Sequence, residues 1–172
     1  VRNDIKRMIR VDQAGEFGAT RIYAGQLAVM GDRAPHSGEV AAMARQEDEH
    51  HEAFNALMAE RGVRPTALHP FWSVAGYALG AATALIGPKA AMACTAAVET
   101  EIDKHYSDQL DALQDADEEP ELQAMIHQFR EEEREHHDSA IAAGAEEAPA
   151  YPILSAAIRF GCRAAIRISE RV

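Results

Sequence analysis

Two stretches of this chain set a glutamate three residues ahead of a histidine and then double the histidine: QEDEHHEAF at 46–54 and EEEREHHD at 131–138. On an α-helix, side chains three apart stand one above the other on one face. A carboxylate and a neutral imidazole so placed can chelate one divalent ion, and mixed oxygen and nitrogen ligation suits iron or manganese. The plain alternative is a solvated acidic face. Position decides between them, because a bundled helix buries a stripe with steps of three and four. One stripe reads Val40, Met43, Glu47, His50, Phe54, Leu57; the other reads Ile126, Phe129, Glu133, His136, Ala140. Each E-x-x-H therefore falls on an apolar stripe. Glu49, Glu52, Glu132 and Glu135 fall off it and read as solvated, and His51 and His137, one step off, read as boundary residues.

The same test finds one glutamate in each of two further stripes: Ile5, Ile9, Asp12, Glu16, Ala19, Tyr23, and Met92, Thr95, Glu99, Ile102, Tyr106, Gln109, Leu113. No Lys or Arg occurs on the four stripes. An unpaired buried carboxylate costs several kcal/mol, so the set needs positive charge. Two divalent ions bring +4 against the −4 of Glu16, Glu47, Glu99 and Glu133. One Glu from each of two helices and one E-x-x-H from each of two others is the ligand set of ferritin-like di-iron or di-manganese bundles. The candidate metal residues are thus Glu16, Glu47, His50, Glu99, Glu133 and His136. Asp12, one turn before Glu16, is placed to orient a ligand histidine or to be an exposed helix-start acid. His105 and Tyr106 lie close to the face of Glu99, where either can bond a substrate or relay a proton or electron, the commoner role of such a tyrosine being a core body with a polar tip. Tyr23 is read in the same way, and Trp72 as core or interface packing.

These residues require helices to hold them. Periodicity and punctuation predict one all-α, ferritin-like domain over 1–172. Its four site helices run at about 4–30, 38–61, 89–113 and 120–144. Gly31 and Gly62 supply stops, Pro88 and Pro120 suit first turns, and the acidic DADEEP at 115–120 marks a turn. Two accessory helices are predicted at about 71–87 and 153–170. Glu16 to Glu47 spans 31 residues and Glu99 to Glu133 spans 34, one hairpin each; the 52 from Glu47 to Glu99 leave room for a long crossover.

Composition narrows the function classes. The net charge of −11 argues against a nucleic-acid partner. Cys94 and Cys162 form no C-x-x-C, which excludes a zinc ribbon or a rubredoxin-type iron domain. The start at Val1 shows no secretory signal pattern. Residues 71–87 (FWSVAGYALGAATALIG) are uncharged but short and Ala/Gly-rich, so an interfacial or buried helix is expected rather than a span. Near the end Arg159, Arg163, Arg167 and Arg171 recur every fourth residue. With Glu170 they leave +3 on 153–172 and −14 on the rest. Such a stripe reads as a membrane-surface face, with arginines pairing to the acidic bundle as the alternative. A metal site beside an apolar surface points to oxygen chemistry on a lipid-soluble substrate. A ferritin-like ferroxidase or iron-handling protein, and a non-enzymatic lipid-binding bundle, are the competing readings. The first does not need the apolar surface, and the second does not need four buried glutamates.

The segments VDQAGEFGATRIYAGQ (11–26), GVRPTALHPFW (62–72), GPKAAMACTAAVE (87–99), EREHHD (133–138), EEAPAYPIL (146–154) and GCRAAIRISERV (161–172) resemble the 5-demethoxyubiquinone hydroxylase family, the di-iron monooxygenases of ubiquinone biosynthesis. The resemblance covers almost the whole chain. It implies a ferritin-like bundle bound peripherally to a membrane, at the cytoplasmic face of a bacterial inner membrane or the matrix face of the mitochondrial one. It implies hydroxylation of a polyprenylated demethoxyubiquinone ring with O₂ and two electrons, two iron ions on the six residues above, and His105 and Tyr106 near the quinone. NADH is the implied electron source, although no G-x-G-x-x-G is present. The resemblance further implies a lipid-binding protein partner; a homo-oligomer is an open alternative to a monomer.

Overall fold

The computed structural model describes residues 2–114 and 119–172. The helices are α1 (Asn3–Met30), α2 (Ser37–Arg61), α3 (His69–Ile86), α4 (Pro88–Gln114), α5 (Pro120–Ala142) and α6 (Tyr151–Ser169), with a 3-10 turn at Ala145–Glu147. No strand occurs among the described residues. Residues 115–118 of the expected acidic turn lie outside them. Proline occupies the first turn of α3, where Pro70 lets the helix start at His69, two residues before the predicted start. α5 stops at Ala142, short of the predicted 144, because Gly144 turns left-handed with φ 89° and opens the 3-10 turn.

α1 and α2 form one hairpin, α4 and α5 the other, and together they make a ferritin-like bundle. Two apolar clusters close it above and below a polar layer. One gathers Val40, Met43, Met92 and Ala140; the other gathers Ile9, Phe54, Leu122 and Ile126. Each large side chain in them contributes about 1.5–3 kcal/mol by burial. The predicted stripes are buried except at two places: Leu57 is half-buried while Met58 takes the core position, and Ile102 is half-buried.

The accessory helices lie on the α1/α4 side. α3 runs along α1 at backbone contact, made by glycines: a Cβ on Gly80 would overlap the Ile22 carbonyl, and one on Gly25 the Tyr77 carbonyl. α6 packs on α4 and is tied to it by charge. Glu101 is 2% exposed, and its Oε1 accepts from Arg159 Nε at 2.6 Å and Arg163 NH1 at 2.8 Å. A buried carboxylate needs such compensation. The arginine stripe is therefore split: Arg159 and Arg163 pair inward, while Arg167 and Arg171 are exposed. The outer faces of α3 and α6 carry unusual apolar exposure, with Val74, Leu85, Ile153 and Phe160 at 70% or more. No helix among the described residues is long and apolar enough to cross a membrane.

Candidate metal centre

Glu16, Glu47, Glu99 and Glu133 are each no more than 1% exposed, with His50 at 1% and His136 at 4%. The helix period carries each of them inward from a different turn of the bundle, and the fold brings all six into one layer. They form two overlapping groups: Glu16, Glu47, His50 and Glu133, and Glu47, Glu99, Glu133 and His136. Within each group the ligand atoms lie within 4.8 Å of one another. Glu47 and Glu133 belong to both, as bridging carboxylates would. Each histidine turns Nδ1 toward the carboxylates. His50 Nδ1 lies 2.9 Å from Glu133 Oε1, and His136 Nδ1 lies 3.1 Å from Glu47 Oε1 and 3.2 Å from Glu133 Oε2. The His50 ring stacks on Phe129 at 4.0 Å between centroids, which fixes its plane.

The donor set fits a pair of cations. Glu16 Oε2, both Glu47 oxygens, Glu99 Oε2, Glu133 Oε1 and His50 Nδ1 are buried and make no well-formed hydrogen bond, although His50 Nδ1 faces Glu133 Oε1 and His136 Nδ1 faces Glu47 Oε1. Orphaned buried acceptors of this kind are rare without a function or an ion. Their electrostatics agree. Burial, then repulsion from Glu133, pushes the Glu47 and Glu99 carboxyls well above the carboxylate range; burial raises Glu133 as well. Burial works against a charged His50, but the facing carboxylates Glu133 and Glu16 outweigh it and lift the imidazole to about 11. Protons thus take the part that cations would play.

The site has an internal two-fold. Tyr23 and Tyr106 each stand seven residues after the glutamate of their own helix, and each donates to the other one: Tyr23 Oη to Glu99 Oε1 at 2.8 Å, and Tyr106 Oη to Glu16 Oε1. Gln26 donates to Thr95 at 3.3 Å, and Gln109 to Asp12 at 2.7 Å, at matching positions. The outer histidine nitrogens are crossed in the same way. His50 Nε2 bonds Glu132 Oε2 at 2.6 Å, and His136 Nε2 bonds Gln46 Oε1 at 2.9 Å. Glu132 and Gln46 are the residues immediately before Glu133 and Glu47.

Two sequence readings are overturned here. Glu132 is not a solvated acid; its side chain is 24% exposed and holds His50. Asp12 does not orient a site histidine; it is buried and takes His105 Nε2 at 3.0 Å. His105 accordingly faces Asp12 and Gln109, not the six-residue cluster, whereas Tyr106 faces Glu16. His51 sits beside Gln13 and Asn55, and His137 beside Asp138, both away from the cluster.

Two cavities lie along the helices that carry the cluster. An apolar one of about 510 Å³ lies between α1, α3, α4 and α6, lined by Ala19, Ile22, Leu79, Val98, Ile158 and Cys162 among others. Val98 directly precedes Glu99 and Ala19 is three residues after Glu16, so this cavity backs onto the site helices. Trp72 lines it too, and its indole N–H is buried without a partner. A polar cavity of about 360 Å³ opens beside His105 and Gln109, with Arg7, Lys104, Arg163 and Arg167 around it. Glu101 borders both.

A helical bundle holding one glutamate on each of two helices and an E-x-x-H on each of two others defines a ferritin-like carboxylate protein. The pattern of the family described as ubiquinone biosynthesis protein COQ7 matches residues 3–169, and the chain belongs to that family. It is 56% identical over 168 residues to the 3-demethoxyubiquinol 3-hydroxylase of Rhodospirillum rubrum, covering 98% of this chain and 78% of the relative. It is 51% identical over 170 residues to the mitochondrial NADPH-dependent 3-demethoxyubiquinone 3-hydroxylase of Homo sapiens, with the same shares covered. The mitochondrial 5-demethoxyubiquinone hydroxylase of Saccharomyces cerevisiae is 44% identical over 182 residues, again at 98% and 78%.

Proposed function

We propose that this protein is a membrane-associated monooxygenase that hydroxylates the ring of a polyprenylated demethoxyubiquinone, with two iron ions held by Glu16, Glu47, His50, Glu99, Glu133 and His136. The observation that carries the reading is the pair of overlapping buried half-sites backed by an apolar cavity of about 510 Å³. The relatives' names, which give a demethoxyubiquinone or its quinol as their substrate, support it. Two irons in that layer would supply the two-electron activation of O₂ that ring hydroxylation needs. The balance is one O₂, two electrons and two protons per substrate, giving one ring hydroxyl and one water. The electrons come from a nicotinamide dinucleotide, NADH by the family resemblance and NADPH by the name of the human relative.

The chain's own residues do the rest. The cavity between α3 and α6 takes the ring and excludes water, and its volume is within the range of small-molecule sites. The free Trp72 N–H gives a ring oxygen its donor. Tyr106 holds Glu16, and the His105–Asp12–Gln109 group passes protons between the polar cavity and the interior. The exposed apolar residues of α3 and α6, with Arg167 and Arg171, rest on the membrane so that the prenyl tail stays in lipid. In the test, iron-loaded protein is reduced under ¹⁸O₂ with a short-chain demethoxyubiquinone. The expected product carries one ¹⁸O and is absent without iron. A product oxygen drawn from water, or no product from fully loaded protein, sinks the reading.

The surface is tested separately. Phe71 is 60% exposed and Phe160 70%. Burying a phenylalanine is worth about 1.5–3 kcal/mol. Phe71→Glu with Phe160→Glu is therefore expected to weaken flotation with anionic liposomes at least about tenfold while the helical spectrum is unchanged. Undiminished flotation would place the membrane face elsewhere.

A further inference from the structure

At two positions the two-fold sets a carboxylate against a neutral group, and both carboxylates fall on the same half. Where Gln46 backs His136 with an amide, Glu132 backs His50 with a carboxylate. Where Gln26 meets the hydroxyl of Thr95, Gln109 meets the carboxylate of Asp12. Glu132 acts on the half-site of Glu16 and His50, and Asp12 stands one turn before Glu16 on the same face. The half-site of Glu99 and His136 has a neutral amide and a neutral hydroxyl instead. The crossed tyrosines, by contrast, are matched.

From this asymmetry we propose that the two metal positions are unequal by construction, and that Glu132 is the positioning residue that makes the Glu16/His50 position the tighter one. The inference rests on the di-metal reading above. A carboxylate accepting the Nε2–H of an imidazole fixes the tautomer that leaves Nδ1 bare for a cation, and it makes that nitrogen more basic; an amide oxygen does the first but little of the second. The His50–Glu132 contact, at 2.6 Å, is shorter than the 2.9 Å of His136–Gln46, the order expected of a charged against a neutral acceptor. Gln128 Nε2 donates to the other Glu132 oxygen at 3.0 Å, so the carboxylate is aimed and not free to swing away. The sequential consequence is that one ion seats on Glu16, His50 and the shared glutamates before the second seats on Glu99 and His136.

The test is Mn²⁺ titration of the full chain, with the free ion counted by its EPR signal. Wild-type protein is expected to bind one ion tightly and a second more weakly. Glu99→Ala should keep the tight step and lose the weak one, and Glu16→Ala should do the reverse. Glu132→Gln should weaken the tight step by roughly 10- to 100-fold, the usual cost of losing such a partner. The exchange Gln46→Glu with Glu132→Gln should restore two unequal steps, with the tight one now sensitive to Glu99→Ala. Glu135→Gln removes an equal charge from an exposed position of the same helix and should leave both steps in place. In iron-loaded protein, two distinct Mössbauer doublets should draw together in Glu132→Gln. An unchanged isotherm for Glu132→Gln, or a tight step that survives Glu16→Ala, overturns the proposal. Wild-type protein that binds no pair of ions overturns instead the di-metal reading on which it stands.

Discussion

Glu133→Gln is expected to abolish hydroxylation and yet to make the metal-free protein more stable. Glu133 belongs to both half-sites and is fully buried, so on the di-metal reading losing its charge would deprive each ion of one ligand. The substitution keeps the volume and leaves packing intact. Bound metal should fall from two ions to one or none, measured by elemental analysis after gel filtration, and product should fall below detection in the ¹⁸O₂ assay. The metal-free state responds in the opposite sense. Glu133 heads the repulsions that raise Glu47 and Glu99, so removing its charge relieves that cost, against the loss of its contacts with His50 and His136. Two like charges about 4 Å apart repel by about 4 kcal/mol at an effective dielectric constant of about 20, so a net gain of about 1–4 kcal/mol is expected. For a chain of this size that is a rise of about 2–15 °C in the melting temperature of metal-free protein at pH 8. A variant that holds two ions and turns over would remove Glu133 from the site. One that loses metal and also unfolds would show that the glutamate supports the fold on its own.

The same conflict explains why so much of the centre is legible without a structure. A carboxylate on an apolar stripe contradicts the burial rule that the rest of the helix obeys, and such contradictions collect at functional sites. Glu16, Glu47, Glu99 and Glu133 stand out for that reason, each flanked by residues such as Ile9, Met43 or Ile126 that fix the face. The helix order and the hairpins follow from the same stripes. What periodicity cannot show is contact across helices. Glu132 looks solvated on its own helix, because its partner His50 comes from α2. Glu101 lies off the α4 stripe, and only the docking of α6 makes it buried. Asp12 is on a stripe, but its partner is His105 of α4 and not a site histidine. The chain does carry a trace of these cross-helix pairs. Tyr follows Glu by seven in both α1 and α4, and a polar residue precedes Glu in both E-x-x-H segments. Repeated spacings of that kind mark a two-fold, and a two-fold predicts crossed pairs.

Removing the metal should reverse the way stability depends on pH. In metal-free protein Glu47, Glu99 and Glu133 have carboxyls raised above their unfolded values, and His50 is lifted to about 11. A group whose pKa is higher in the folded state binds protons more tightly there, so its stabilisation is complete below the unfolded pKa and is lost as pH rises. For the three glutamates the loss begins near the unfolded value of roughly 4.3 and continues upward through their raised folded values. For His50 it begins near roughly 6.5 and continues to about 11. Metal-free protein should therefore melt at progressively lower temperature between pH 5.5 and pH 8.5. With two divalent ions bound the sign changes, because ligands must be deprotonated to bind and protons compete with the metal. Metal-loaded protein should gain stability over the same interval. The two melting curves converge near pH 5.5 and separate with rising pH. At pH 8.5 the gap should correspond to about 3–5 kcal/mol, the usual size for an uncompensated buried charge, or roughly 6–20 °C. Circular dichroism melts with and without a chelator, at matched ionic strength, measure it directly. A metal-free protein whose melting temperature rises with pH would mean that the four glutamates are compensated by something other than cations or protons. The charge cancellation that first singled out these residues would then have to be abandoned.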